Sequence, residues 1–259
     1  MTLGSLFDGS GTCPLAATLM GIKPVWASEI EPYPIAVTKK NFPEMLHLGS
    51  ITDINGGEIP PVDIITGGSP CQDLSVAGKR KGLEDGERSH LFYEMTRVIK
   101  EMRDKTNGKY PRFILWENVP GALSSGTPKG GDFLAVVQNF AQIADPFVHV
   151  PEPEIKGGKY RWKNSGYLEG DTWSIAWRIM DAQWWGVPQR RRRLFLVMDL
   201  GRVSDVRGSD GALRHTGGFS AGKILFERKG LCGYPPTGFR EGQGAARNTE
   251  ESAGAEGCG

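Results

Sequence analysis

This sequence predicts an α/β fold with a mostly parallel, twisted sheet and helices on both faces, and three observations carry that reading. Short apolar runs of strand length alternate with amphipathic helical stretches along the first 200 residues. The first run ends in a glycine turn, Asp8-Gly9-Ser10-Gly11-Thr12, with Pro14 suited to the first turn of a helix. The fourth run, around Val62, Ile64 and Ile65, ends in Gly67-Gly68-Ser69-Pro70-Cys71-Gln72-Asp73-Leu74-Ser75. The C-terminal edge of such a sheet is where ligands bind.

Taken in order, Leu3 to Phe7 is the first strand, and Leu15, Leu19 and Met20 mark the expected apolar face of the helix after it. Pro24 to Ser28 is the second strand, ending in Glu29. An acid there either accepts hydrogen bonds from ribose hydroxyls or is a solvated glutamate at a helix start. A helix through Ile35, Ala36 and Val37 stops at Pro43, and His47 to Ile51 gives a short strand and turn. Residues 76–88 form a long, basic, glycine-bearing loop, and loops of that length in compact domains usually cover or bind something. Leu91, Met95, Val98 and Met102, widened by Phe92 and Ile99, form one helical stripe; Phe133, Val136, Val137 and Phe140 form another.

Between those helices, Phe113 to Trp116 is a strand leading into Glu117-Asn118-Val119-Pro120. Residues 145–171 read as an irregular insertion rich in Pro, Gly, Lys and aromatics. Two strands, Trp173 to Asp181 and Leu194 to Met198, then pair around Gln189-Arg190-Arg191-Arg192-Arg193. An arginine run is usually a solvated face, but this one abuts a strand that would draw it toward Glu117. Residues 201–259 hold 14 glycines and one apolar cluster, Ile224-Leu225-Phe226, too little to bury much surface.

Composition excludes several classes. The 259 residues carry 39% apolar and 24% charged side chains and a net charge of +1, so nucleic-acid binding would have to come from local patches. Cys13, Cys71, Cys232 and Cys258 show no metal spacing and no disulfide framework, so no metal is expected and a reducing compartment is. No run approaches the roughly 20 apolar residues of a membrane span, and the N-terminus lacks the pattern of a signal peptide. Cys71, in its glycine-proline loop, is either a nucleophile or a buried structural thiol on local evidence alone.

In series, these segments resemble the DNA cytosine-5 methyltransferases of bacterial and phage type. Phe7 to Thr12 is similar to the family's first cofactor motif, Gly68 to Gln72 to its nucleophile loop, Glu117-Asn118-Val119 to its ENV motif, and Gln189 to Arg193 to its QxRxR motif. Asp181-Ala182-Gln183 and Gly186-Val187-Pro188 fit the lead-in. The resemblance implies a Rossmann-like, S-adenosylmethionine-dependent catalytic domain over residues 1–200, with a terminal antiparallel strand. Cys71 would be the nucleophile on cytosine C6, Glu117 the acid at N3, Arg191 the base-anchoring cation and Arg193 a structural one. Burial is expected to raise the Glu117 pKa so that the carboxyl carries or shares a proton. The implied cofactor pocket comprises Phe7, Gly9, Ser10, Gly11, Thr12, Glu29, Ile30, Ser50, Ile51, Pro70 and Leu91. Ser50 stands where the family usually has an acid for the adenine amine, and Asp53 is the nearby substitute.

Double-stranded DNA is the implied partner, met by Gln72, Ser75, Lys79, Arg80, Lys81, Arg88 and Gln189, with the target base flipped into the pocket. The expected setting is the cytoplasm of a bacterial or phage-infected cell, away from membranes. Nothing before Gly259 resembles the family's recognition domain or closing motif, so residues 201–259 are expected to begin an incomplete recognition region, and a C-terminal complementing chain is a candidate partner. Two rival readings are a transfer RNA cytosine methyltransferase of the same fold and a non-catalytic or partner-dependent remnant.

Overall fold

The computed structural model describes residues 1–69, 90–201 and 221–226. Among them, eight strands form one sheet: β1 (Thr2–Leu6), β2 (Lys23–Ser28), β3 (Leu46–His47), β4 (Ile64–Gly67), β5 (Phe113–Asn118), β6 (Ser165–Glu169), β7 (Ser174–Asp181) and β8 (Arg192–Asp199). Their spatial order is β3-β2-β1-β4-β5-β8-β7-β6. The first five run parallel, whereas β8, β7 and β6 are joined antiparallel to one another and β8 antiparallel to β5. The order reverses between β1 and β4, so the crevice expected of an open α/β sheet lies outside the ends of those two strands.

Helices α1 (Thr12–Leu19), α2 (Pro32–Asn41), α3 (His90–Lys105), α4 (Gly131–Ala144) and α5 (Ala221–Phe226) connect or cover the strands. The stripes on α3 and α4 behave as their 3.6-residue spacing requires: Phe92, Met95, Val98, Ile99 and Met102 are buried with Phe133, Val136, Val137 and Phe140. Beneath them lie Ile65, Ile114, Trp116, Ile175, Leu196 and Met198. Phe92 and Trp116 meet edge to face with ring centroids 6.2 Å apart. Alternation sends the neighbouring residues to the other face, where Leu115, Val197 and Ala176 take α5 through Ala221, Leu225 and Phe226. The apolar cluster beyond residue 200 therefore packs on this sheet through Leu225 and Phe226. At the β5 start, Arg112 Nε holds Asp199 at 3.1 Å, fastening the two strands' ends.

Two expectations are corrected. The face of α1 marked by Leu15, Leu19 and Met20 is exposed, and Pro14 and Ala17 are buried instead. The helix lies close to β1 and β2, where small residues fit and long ones do not. The insertion 145–171 is not irregular throughout, since it supplies strand β6 and a backbone ladder over residues 154–161. Its glycines and lysines hid both. The antiparallel part of the sheet consequently gains β6 beside the two strands expected to pair.

Candidate active site

Parallel pairing brings the C-terminal ends of β1, β2, β4 and β5 to one edge of the sheet. Because β8 is antiparallel, it starts at that same edge, and β7 ends there. The glycine turn, Glu29, the root of the cysteine loop, Glu117 and the arginine run thus share one rim.

The turn after β1 is held in sparsely populated backbone conformations. Phe7 has φ 53°, Gly9 59° and Gly11 85°, and a non-glycine residue with positive φ costs energy that its surroundings must offset. Glu29 supplies part of that support. One of its carboxylate oxygens accepts from Gly9 N at 2.8 Å, the other from Ile30 N at 2.8 Å and Glu31 N at 3.0 Å. It therefore ties the end of β2 to the turn while lone pairs remain for further donors. Ser10 and Thr12 are exposed around the turn, as is Ile30 on the β2 side.

Beneath the turn lies a polar cluster that sequence reasoning missed. Asp8 is 8% exposed; its Oδ1 accepts from Ser5 Oγ at 2.6 Å, and its Oδ2 is buried with no hydrogen-bond partner among the described residues. Burial raises its pKa to about 6, opposed by the Ser5 bond and helped by the negative charge of Glu29. Thr66 Oγ1 donates to Ser5 Oγ at 3.3 Å from the adjacent strand. Cys13 is exposed overall, with its thiol on the Thr66 side. Burial pushes that thiol's pKa up, with Asp8 and Glu117 adding to the effect, which keeps Cys13 a weak nucleophile. Asp8 stands inside the first motif; only tertiary burial distinguishes it from a solvated turn acid.

Glu117 comes off β5 beside β4, whose Gly67 pairs with Trp116. Arg193 Nε lies 2.9 Å from Glu117 Oε1. A Cβ on Gly68 would stand 3.0 Å from Glu117 Oε2 and 3.3 Å from its carbonyl oxygen, so the glycine leaves the carboxyl room that any side chain would crowd. Trp116 Nε1 donates to Ser69 Oγ at 3.4 Å, fixing the root of the loop to β5. The burial expected of Glu117 is not found: its side chain is 37% exposed and ion-paired.

Asp181 organises the arginine run. Its Oδ1 accepts from Gln183 N and Arg191 N, and its Oδ2 from Gln183 Nε2 at 3.1 Å. Gln189, Arg190 and Arg191 are exposed, so of the run it is Arg193 that meets Glu117. Ser50 Oγ bonds Thr52 Oγ1 at 2.7 Å and caps the short turn Ile51–Asp53, in which Ile51 is buried in the core and Asp53 is exposed. Leu91 is half-buried against the core. Pro70, Cys71, Gln72, Ser75, Lys79, Arg80, Lys81 and Arg88 lie outside the described residues.

The class defined by this sheet and rim is confirmed by comparison: residues 1–144 match the model of the C-5 cytosine-specific DNA methylase family. The chain belongs to that family. Among its relatives, the Type II methyltransferase M.NgoBV of Neisseria gonorrhoeae is 31% identical over 186 residues, 70% of this chain and 36% of that protein. M.HhaI of Haemophilus parahaemolyticus is 30% identical over 192 residues, 74% and 47% respectively. A protein of Escherichia phage P1 named as a DNA N-6-adenine-methyltransferase is 37% identical over 213 residues, 75% of this chain but 28% of its own length. The chain thus spans less than half of each of these relatives. In fold it is similar to the S. pombe Dnmt2 methyltransferase, with a TM-score of 0.52, 16% identity and coverage of 83% of this chain and 58% of that one. It is equally similar to a prophage-encoded E. coli protein described as a DNA modification methyltransferase (TM-score 0.52, 23% identity, 77% and 46% coverage). No described helix is long and apolar enough to cross a membrane.

Proposed function

We propose that this chain is the catalytic lobe of an enzyme that moves a methyl group from S-adenosylmethionine to C5 of a cytosine flipped out of duplex DNA. One observation carries the reading: the Glu117 carboxylate, ion-paired to Arg193, lies against Gly68, three residues before Cys71.

The chemistry needs these groups in this order. Cytosine C5 is a poor nucleophile until the ring is activated. The Cys71 thiolate adds to C6, and the displaced electron pair moves through the ring toward N3, beside Glu117. Arg193 orients the carboxyl, and Arg191 is the cation expected to favour the thiolate. S-adenosylmethionine, when bound, supplies an electrophilic methyl on a sulfonium sulfur. Once C5 carries the methyl, loss of the C5 proton to a base expels Cys71 and restores the aromatic ring. The glycine turn and Glu29 fit the cofactor's ribose, with Phe7, Ser10, Thr12, Ile30, Ser50 and Leu91 around it. Cys13, held as a thiol, is a poor alternative nucleophile.

A second reading, adenine N6 methylation, takes support from the activity in the phage P1 relative's name. An exocyclic amine attacks a methyl donor without a protein thiolate, so that reading leaves the cysteine loop unexplained. The named activity also need not reside in the 28% of that protein matched by this chain. The test is nucleoside mass spectrometry of duplex DNA treated with S-adenosylmethionine and this chain, alone and with any product encoded immediately downstream. 5-Methylcytosine that disappears in Cys71→Ser, with a covalent adduct on 5-fluorocytosine DNA, is expected. N6-methyladenine, or 5-methylcytosine that survives Cys71→Ser, overturns the proposal.

A further inference from the structure

The hairpin in the 145–171 insertion points to a DNA contact outside the motifs. Lys156 N bonds Lys159 O at 3.0 Å, Ile155 and Tyr160 form an antiparallel bridge, and Arg161 N bonds Glu154 O at 2.8 Å. The two turn residues, Gly157 and Gly158, have φ 60° and 68°, the left-handed pair of a tight two-residue hairpin. A third backbone row lies alongside: Tyr160 N donates to Lys129 O at 2.9 Å, and Lys129 pairs parallel with Lys159. Trp162 anchors the unit, donating to Gly130 O at 2.8 Å and meeting Phe133 and Trp177 with ring centroids 4.8 and 5.5 Å away. A Cβ at Gly130 would come within 3.0 Å of both Tyr160 and Trp162, so the docking is close.

Three lysines, Lys129, Lys159 and Lys156, therefore stand abreast on adjacent rows roughly 4.8 Å apart. All three are exposed, and none is in an ion pair among the described residues. Residues directly opposed in a ladder share a face, so like charges there repel. Glu154 stands opposite Arg161 across the hairpin and Glu152 lies against Tyr160, and among the described residues neither forms an ion pair with the three lysines. The location matters as much as the charge. Strand β6 is antiparallel to β7, so the hairpin that precedes it stands at the same end of the sheet as Asn118, on the side of the outer strand β6. A chain with net charge +1 has gathered a local cationic strip at the end of the sheet that carries its candidate active site.

We infer that the Lys129–Lys159–Lys156 strip binds the phosphate backbone of duplex DNA beside the flipped base. This rests on the proposed function. Three lysines abreast offer point charges matched to phosphates, so the contact positions DNA and adds little to the choice of sequence. The test is fluorescence anisotropy on mixed-sequence duplex DNA, from 50 to 200 mM salt, with a triple variant Lys129→Gln, Lys156→Gln, Lys159→Gln. A control triple carries Lys39→Gln, Lys40→Gln and Lys100→Gln, all exposed and on α2 and α3. Losing three phosphate contacts should flatten the slope of log affinity against log salt by about 2.7, so that wild type loses about 40-fold more affinity than the strip variant across that range. The control should follow wild type, and S-adenosylmethionine affinity should not change. Wild-type slope in the strip variant overturns this inference and leaves the proposed function standing. No duplex binding by any of the proteins, or clear preference for transfer RNA with the same slope change, overturns both.

Discussion

Replacing Asp8 with Asn should make the protein more stable at neutral pH and remove a large part of its pH dependence. Asp8 is buried, uses one oxygen on Ser5, and leaves the other without a partner among the described residues. Ionising it is therefore costly in the folded chain, and its pKa rises from 3.8 to about 6. A raised folded pKa means that the native state holds the proton more tightly than the unfolded one. The associated stability is complete below pH 3.8 and is lost as pH rises through 6. Asn keeps the acceptor for Ser5 and cannot ionise. The stability difference between Asp8→Asn and wild type should thus grow by about 2 kcal/mol between pH 4.5 and pH 7.5, in the variant's favour. Urea denaturation of both proteins at several pH values measures it. Parallel stability curves across that range would refute the account of a buried, poorly compensated carboxylate.

Gly68→Ala should place a methyl 3.0 Å from Glu117 Oε2 and displace the carboxyl, slowing methyl transfer by tenfold or more while cofactor affinity holds; single-turnover kinetics with calorimetry separates the two. Glu29→Ala should weaken S-adenosylmethionine binding by about 1–3 kcal/mol, because Gly9, Ile30 and Glu31 lose their common acceptor, and unchanged calorimetric affinity would move the ribose elsewhere. Arg112→Ala should cost about 3–5 kcal/mol by stranding Asp199, which is 6% exposed, and a change in melting temperature no larger than that of a surface alanine would contradict it.

Elements whose burial follows a simple period were legible before any coordinates. The α3 and α4 stripes are long side chains at helical spacing, and long side chains fill the core above a sheet. Helix α1 misled because it packs through Pro14 and Ala17, and small residues leave no mark on a hydrophobicity pattern. The hairpin was hidden for a different reason: its shape comes from two glycines and a tryptophan anchor, not from alternating apolar residues. Motif order gave Glu117 and the arginines, but which arginine reaches the acid depends on the β5–β8 register, a contact between distant parts of the chain. The half-buried, ion-paired state of Glu117 and the poorly compensated oxygen of Asp8 are tertiary facts that no local pattern encodes.

The placement of β8 also sets a timetable for synthesis. Phe113-Ile-Leu-Trp116 pairs with β4 on one side as soon as both have emerged, but its other side waits for residues 192–199. At about 5–20 residues per second, a translating ribosome needs about 4–16 s to cover that interval. Throughout it, a strongly apolar strand in what will be the middle of the sheet is an open edge, able to pair with a neighbouring nascent chain. A chaperone that shields one short segment for several seconds would help this protein more than one that encloses it after release. A chain interrupted before Arg192 would carry Glu117 without its arginine and a sticky strand without its cover.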